Sequence, residues 1–223
     1  DIMVVGRFAG SESLAAVGSI SSLINLIVNL FIGLSTGAGV VTARNIGAEE
    51  TERTHKSVHT AMTISVISGI AVGLFGFFFA SKFLKLMGTP ENVLPLASLY
   101  LKIYFIGAPG SLIFNFGASI VRATGDTKRP LIILSLTGIV NVVLNLILVV
   151  VFHLNVAGVA IATIVAQYLS AIFIVLRLTS LDNMCKLRIS KLRIYKKELE
   201  NIVKIGIPAG LQSSLFSFSN VLI

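Results

Sequence analysis

The sequence has little charge, one cysteine and no tryptophan. Only 13% of its 223 residues are charged and 55% are hydrophobic, whereas soluble domains carry about 25% charged residues. With Cys185 alone, no disulfide can form within the chain. The composition excludes an ordinary soluble domain and a disulfide scaffold, and it indicates an integral membrane protein.

Acidic residues are also scarce, which leaves a formal net charge of +8. Such a charge can mark a nucleic-acid-binding protein, but no basic segment is interleaved with aromatic residues as in single-strand binders. Lysine and arginine in loops are instead what the topology of membrane proteins requires. We therefore expect a lipid bilayer, and no nucleic acid, as the partner of this chain.

Long uncharged runs alternate with charged loops. A helix needs about 20 mostly apolar residues to cross a bilayer. Beyond a short apolar stretch that ends at Gly6, the runs at 14–43, 58–80, 96–121, 131–152 and 157–176 meet this condition, and a further run begins at 207. With the stretch that ends at Gly6 counted as the first span, 96–121 is the fourth, and Pro109-Gly110 predicts a kink in it. The pattern predicts an all-α membrane fold.

Two spans contain glycines four residues apart, Gly33 with Gly37 and Gly69 with Gly73. This spacing lets two membrane helices approach closely. We expect both pairs to lie at helix contacts.

The loops differ in charge between the two sides of the membrane. One side holds 14 lysine and arginine residues, in the segments 44–56, 122–129 and 177–204, and the other holds four. The positive-inside rule places the first set in the cytoplasm of a multi-pass protein of the cell membrane. The segment 186–204 mixes basic and aliphatic residues, so we expect it to lie as an amphipathic segment on the anionic inner leaflet.

Two amides occupy the middle of the fifth span. Asn141 and Asn145 are four residues apart, hence on one helix face, and no charge occurs between Leu131 and Phe152. Asn141 lies about 15 Å in from Pro130 at 1.5 Å per residue, which is half of a ~30 Å hydrocarbon layer. The amides serve either interhelical hydrogen bonding or a ligand.

Polar residues on other spans are candidates for lining one cavity together with Asn141 and Asn145. Thr163 and Gln167 share the i,i+4 spacing on the sixth span. Asn115 follows the predicted kink, and Asn25 and Asn29 lie on the second span.

Motifs of soluble enzymes and cofactor sites are weak. His55 and His59 have a metal-ligand spacing, but no third suitable ligand is near them in the sequence. The glycine-rich run 33–39 lacks the lysine of a phosphate loop. No nucleophile and base share one depth, and nothing resembles a selectivity filter. We expect no cofactor and no bound metal at these motifs, and we favour neither an enzyme nor a channel.

The turn Arg-Ala-Thr-Gly-Asp-Thr-Lys-Arg-Pro at 122–130 strongly resembles that of the multidrug and toxic compound extrusion (MATE) transporters. The likeness continues, in the order of the family, at 1–6, 14–18, 33–39, 43–48 and 206–210. Together these motifs identify the chain as a member of that family.

The resemblance implies a secondary antiporter of twelve helices in two six-helix bundles, which expels organic, usually cationic, compounds in exchange for H⁺ or Na⁺. Residues 1–180 would form the first lobe, from the end of its first helix to its sixth. Residues 181–205 would be a basic, amphipathic cytoplasmic linker, and 206–223 would begin the second lobe. Both ends stop inside apolar runs, so we expect a part of a longer protein whose second six-helix half is a partner.

Asp1 matches the acidic residue that binds the coupling ion in the first helix of this family. A carboxylate in low dielectric can exchange a proton or a cation with the substrate. Asn141 and Asn145 match two polar positions near that carboxylate. Some members carry Asp where this chain has Asn145, so a second titratable group is missing here.

We therefore expect two sets of site residues. The cation or proton site comprises Asp1, Asn141, Asn145 and Thr163, and the substrate cavity comprises Asn25, Asn29, Asn115 and Gln167. The alternative is a flippase for lipid-linked oligosaccharides, which shares the helical plan. Its cavity should be ringed with Arg and Lys to hold a pyrophosphate, and these spans contain almost no internal cation.

Overall fold

The structure is a computed structural model that describes residues 10–86 and 89–222, with side chains at 29–86 and 89–214. Within these ranges it contains seven α-helices and no strand, which confirms the all-α prediction. They are α1 Gly10–Gly47, α2 Thr51–Leu86, α3 Leu94–Ile106, α4 Ala108–Ala123, α5 Lys128–Leu146, α6 Asn155–Thr179 and α7 Lys196–Leu222. A π-helical turn, Ile147–Val151, extends α5, and a 3₁₀ turn, Ile189–Lys191, lies between α6 and α7.

Several described helices are long and apolar enough to cross a membrane. They are α2, α6 and the run Lys128–Val151, which joins α5 to the π-helical turn. Helices α3 and α4 pass the same test together and are bent by 46°. The break falls at Gly107, just ahead of the expected Pro109-Gly110, because a proline without an N–H fits the first turn of a helix. The predicted kink is confirmed.

Glycines bring α1 into backbone contact with α7. A Cβ atom on Gly33 would overlap the backbone of Gly210, and one on Gly37 would lie 2.5 Å from the carbonyl oxygen of Ile202. Real Cβ atoms do not approach other atoms so closely, so only glycine fits. The expected close contact at this glycine pair is confirmed.

The second glycine pair faces the kink between α3 and α4. A Cβ atom on Gly69 would lie 2.6 Å from Cα of Pro109, and one on Gly73 would lie 2.9 Å from the carbonyl oxygen of Phe105. The bare glycine face of α2 therefore accommodates the bent helix pair, and this close contact is confirmed as well.

Two buried clusters hold the described helices together. One is built around Leu84, Leu101 and Phe105, and the other, around Phe116 and Ile174, lies nearer the loops rich in lysine and arginine. The outer face of α5 exposes large aliphatic side chains instead. Those side chains suit contact with lipid.

The segment between α6 and α7, residues 180–195, is called the linker below. The bundle end formed by this linker, the α1–α2 loop and the α4–α5 loop is called the basic end. Helix α7 begins at Lys196, ten residues before the expected start of the seventh span at 206. Residues 196–205 thus continue the helix instead of forming linker.

One face of this linker packs against the protein. Leu187 and Cys185 are buried in the protein. The Arg188 N–H donates to Nε2 of His59 over 3.1 Å, and the Tyr195 N–H donates to Oγ1 of Thr60 over 3.1 Å. The linker packs against the start of α2 because its inward aliphatic side chains find an apolar protein surface there.

Candidate ion and substrate cavity

Polar side chains form a stripe on one face of α5. Thr137, Asn141 and Asn145 follow one another at intervals of four residues, so a helix places them in line. Thr137 and Asn145 are buried, with 2% and 1% of their surface exposed. The stripe faces α6, which carries Thr163 and Ser170 opposite it.

A chain of hydrogen bonds joins the two helices. Nδ2 of Asn145 donates to Oδ1 of Asn141 over 3.1 Å, and Nδ2 of Asn141 donates to Oγ1 of Thr163 over 3.4 Å. The Thr163 hydroxyl in turn donates to the carbonyl oxygen of Val159 over 2.9 Å. Three predicted ion-site residues, Asn141, Asn145 and Thr163, are therefore joined by hydrogen bonds.

A second interhelical bond lies closer to the basic end. The hydroxyl groups of Thr137 and Ser170 are 2.7 Å apart, and both side chains are buried. This bond holds α5 to α6 on the near side of the amides. The sequence analysis did not predict either residue.

A cavity of about 370 Å³ opens between α4, α5 and α6. Its lining includes no charged side chain among the described residues. The lining residues are Ser111, Phe114, Asn115, Leu134, Thr137, Gly138, Asn141, Thr163, Ala166, Gln167 and Ser170.

Two amide side chains on the walls of the cavity, Asn115 and Gln167, differ in their hydrogen bonding. Nδ2 of Asn115 donates to the carbonyl oxygen of Ser111 over 2.8 Å. Oε1 of Gln167 is buried and accepts no hydrogen bond from the described residues. That oxygen packs against Gly107 at the break between α3 and α4, where an added Cβ atom would overlap it.

The predicted site residues fall into three groups. Asn115, Asn141, Thr163 and Gln167 line the cavity, and Asn145 is joined to it through Asn141. Asn29 lies half-buried on α1 and does not line this cavity. Asp1 and the side chain of Asn25 lie outside the described residues.

Several lining residues were missed in the sequence although a signal for them exists. Thr137 precedes Asn141 by four residues, Ser111 precedes Asn115 by four, and Ser170 follows Gln167 by three. Each therefore continues a polar face that had already been identified. Extending those faces by one turn would have found all three.

One ion-pair cluster ties the helices of the cavity together at the basic end. Oδ2 of Asp126 in the α4–α5 turn lies 3.4 Å from Nε of Arg129 and 3.4 Å from Nη2 of Arg177. Oδ1 of Asp126 also accepts the Arg129 N–H over 3.2 Å. Since Arg177 is in the last turn of α6, the cluster joins the start of α5 to the end of α6.

The two histidines with metal-ligand spacing have a structural role instead. Nδ1 of His59 lies 2.8 Å from the carbonyl oxygen of His55, and its Nε2 accepts the Arg188 N–H. Both ring nitrogens of His59 are therefore used, in the neutral tautomer protonated at Nδ1. Within the described residues no group of three or more potential metal ligands occurs.

Comparison with known proteins assigns the chain to a family. Residues 1–147 match the MatE family model. The chain is 29% identical to the probable multidrug resistance protein YoeA of Bacillus subtilis (strain 168), over 99% of this chain and 49% of that protein. It spans about half the length of the curated relatives that it matches.

Solved transporter structures match the fold as well as the sequence. An inward-facing conformation of a multidrug resistance MATE family transporter of the MOP superfamily superimposes with a TM-score of 0.88 and 27% identity, over 97% of this chain and 49% of that one. An outward-facing conformation superimposes with a TM-score of 0.88 and 26% identity, over 95% of this chain and 47% of that one. By its sequence and its helical plan, this chain belongs to the MatE family of transporters.

Proposed function

We propose that the complete protein is a secondary antiporter, which exports organic cations across the cell membrane in exchange for H⁺ or Na⁺. The observation that carries this proposal is the uncharged polar cavity between α4, α5 and α6. Relatives described as multidrug resistance transporters support the export of organic compounds.

The chemistry of the cavity suits a cationic substrate. Amide and hydroxyl oxygens supply partial negative charge, and Phe114 offers an aromatic face to a cation. A pyrophosphate would need lysine or arginine, and the lining contains neither. The cavity therefore favours the exporter over the flippase.

The ion site would combine Asp1 with the bonded amides of α5. A carboxylate surrounded by the oxygens of Asn141, Asn145 and Thr163 can hold either a proton or Na⁺. Ion binding at Asp1 would change how the first helix packs and would release the substrate outward. This coupling requires that the ion bind the two states with different affinity.

The transport cycle would use alternating access, with two lobes rocking around a central cavity. The chain matches inward-facing and outward-facing relatives with equal TM-scores of 0.88. A lobe that fits both states equally well behaves as a rigid body between them, which supports rocking.

The orientation follows from charge. With 14 of the 18 lysine and arginine residues at the basic end, that end would face the cytoplasm. The linker would then connect the two lobes on the inner side of the membrane.

The proposal is tested with the complete protein in sealed vesicles. Efflux of a fluorescent organic cation is followed under a Na⁺ gradient alone and under a pH gradient alone, for wild type and for Asp1→Asn. We expect efflux under one gradient, which identifies the ion, and its loss in the variant. Glu49→Gln, an exposed carboxylate in the α1–α2 loop, is the matched control and should transport like wild type.

Efflux that survives Asp1→Asn would remove Asp1 from the coupling role. Absence of efflux under either gradient, with the protein present in the vesicles, would contradict the antiporter and favour the flippase.

A further inference from the structure

We propose that the basic end contains a binding site for the phosphate of an anionic lipid, in the crevice between the start of α2 and the linker. The cavity of the proposed transport function lies elsewhere, between α4, α5 and α6. The new site depends on that function only through the orientation that places the basic end at the inner leaflet.

The crevice consists of two adjoining cavities of about 380 and 560 Å³. Both are lined by Thr51 and His55 of α2 and by Arg188 of the linker. Lys186 lines the first cavity, and Lys191 lines the second. A phosphate group is much smaller than either volume, so room remains for the rest of a lipid head group.

The linker, which forms one wall of the crevice, is held in place by hydrogen bonds to α2. The backbone N–H of Arg188 is bonded to His59, the N–H of Tyr195 is bonded to Thr60, and the neighbouring Leu187 is buried. The linker backbone is therefore anchored on both sides of Lys191. The exposed basic side chains Arg188 and Lys191 are thus carried by an anchored backbone.

The cations of the crevice are only partly neutralised. Nζ of Lys56 lies 2.6 Å from Glu52, and Nζ of Lys186 lies 3.1 Å from Asp182. Arg188 and Lys191 form no ion pair with any acidic residue among 29–86 and 89–214. Two uncompensated cations thus share one crevice and leave it positively charged.

His55 lines both cavities of the crevice. It precedes the apolar run of α2, and its pKa is held below the usual value by burial and by the nearby His59, Lys191 and Arg188. An anion in the crevice would offset the two basic side chains. The electrostatic environment therefore favours a bound phosphate over an empty crevice.

The linker also shows why the phosphate should belong to a lipid. Ile189, Leu192 and Ile194 are exposed by 61%, 37% and 40%, and they alternate with basic residues. Aliphatic and basic side chains side by side at the end of a membrane bundle are suited to the head-group layer. A soluble phosphate would use the cations alone, whereas a lipid uses both kinds of side chain.

The test uses the purified complete protein in detergent, without any ion gradient, so its result is independent of transport. Binding is titrated with short-chain phosphatidylglycerol, short-chain phosphatidylcholine and inorganic phosphate. The double variant Arg188→Gln/Lys191→Gln is compared with Lys196→Gln/Lys197→Gln, which removes the same charge from exposed positions outside the crevice. A third variant, Arg188→Lys/Lys191→Arg, retains the charge.

We expect phosphatidylglycerol to bind the crevice variant at least about tenfold more weakly than wild type. The Lys196/Lys197 variant and the charge-retaining variant should bind within about twofold of wild type. Phosphatidylcholine should bind weakly throughout.

Three results would overturn the proposal: no binding of phosphatidylglycerol to wild type, equal weakening in both charge-removing variants, or inorganic phosphate bound as tightly as the lipid. The second would reduce the site to general charge attraction, and the third would assign it to a free phosphate. A thermal unfolding curve for each variant separates lost binding from lost folding.

Discussion

The contact between α1 and α7 and the cavity between α4, α5 and α6 are opposite ways of arranging helices in one membrane bundle. In the first, glycines such as Gly33 and Gly210 let two backbones meet with no side chain between them. In the second, the helices leave about 370 Å³, and hydroxyl and amide groups face that space. The first arrangement leaves no room for a side chain, and the second suits a site that must be filled and emptied.

Both arrangements reflect the lipid that surrounds membrane helices. Lipid provides no hydrophobic force between helices, so close packing and polar contacts hold them together. A close-packed contact therefore tolerates no added atom, whereas the cavity tolerates added volume but not the loss of its polar partners.

The largest expected effect comes from adding one methyl group to the close contact. Gly33→Ala would place Cβ against the backbone of Gly210, where no side chain can move aside. We expect the complete protein to lose about 1–3 kcal/mol or more of stability, seen as a lower midpoint of thermal unfolding in detergent. A variant as stable as wild type would show that α1 and α7 are not in backbone contact.

Removing the anchor of the linker should have the next largest effect. His59→Leu eliminates the acceptor for the Arg188 N–H and leaves that donor unpaired, at a cost of about 1–3 kcal/mol. Hydrogen exchange at the linker amides should become faster, while exchange in α4 and α6 stays slow. His55→Gln serves as the control, since the His55 side chain does not bond to the linker backbone.

The same methyl addition in the cavity should act in the opposite direction. A Cβ atom on Gly138 has no described atom within 4 Å. Because alanine favours a helix over glycine by about 1 kcal/mol, Gly138→Ala should raise the midpoint of thermal unfolding. If Gly138→Ala lowered the midpoint of thermal unfolding as much as Gly33→Ala does, the proposed difference between the two regions would be contradicted.

The smallest effect is expected from the Ser170–Thr137 bond. Ser170→Ala removes an interhelical bond of 2.7 Å, and such bonds average about 0.6 kcal/mol in membranes. Ser65→Ala is the matched control, because within the described part of the chain the buried Ser65 bonds only to Met62 in its own helix. Equal effects of the two variants would mean that the interhelical bond contributes no stability.

The sequence predicted what depends on local pattern. Apolar runs predicted the helices, and Pro109 predicted the kink. The i,i+4 spacing of the α5 amides indicated one wall of the cavity. The α1–α7 contact was predicted from the α1 side, where glycine spacing was informative, but its partner helix was not.

Features that depend on distant contacts were missed. The bond between His59 and Arg188 joins residues 129 positions apart, and no local pattern distinguishes such a histidine from a metal ligand. Thr137 and Ser170 were missed for a different reason: a hydroxyl in a helix most often bonds to its own backbone, so sequence alone does not mark it as a partner for another helix.

The most direct test of the cavity is the rate at which the complete protein exports a fluorescent organic cation when Asn141 is replaced. Asn141→Leu keeps the branched shape and the number of heavy atoms of the side chain but breaks the bonds to Asn145 and Thr163. Interhelical hydrogen bonds average about 0.6 kcal/mol in membranes, so the midpoint of thermal unfolding should fall only slightly. Efflux should fall at least about tenfold, because the polar group that lines the cavity is lost. Asn201→Leu, an amide on α7 outside the cavity, should export at the wild-type rate. Wild-type efflux by Asn141→Leu would contradict the assignment of this cavity to transport.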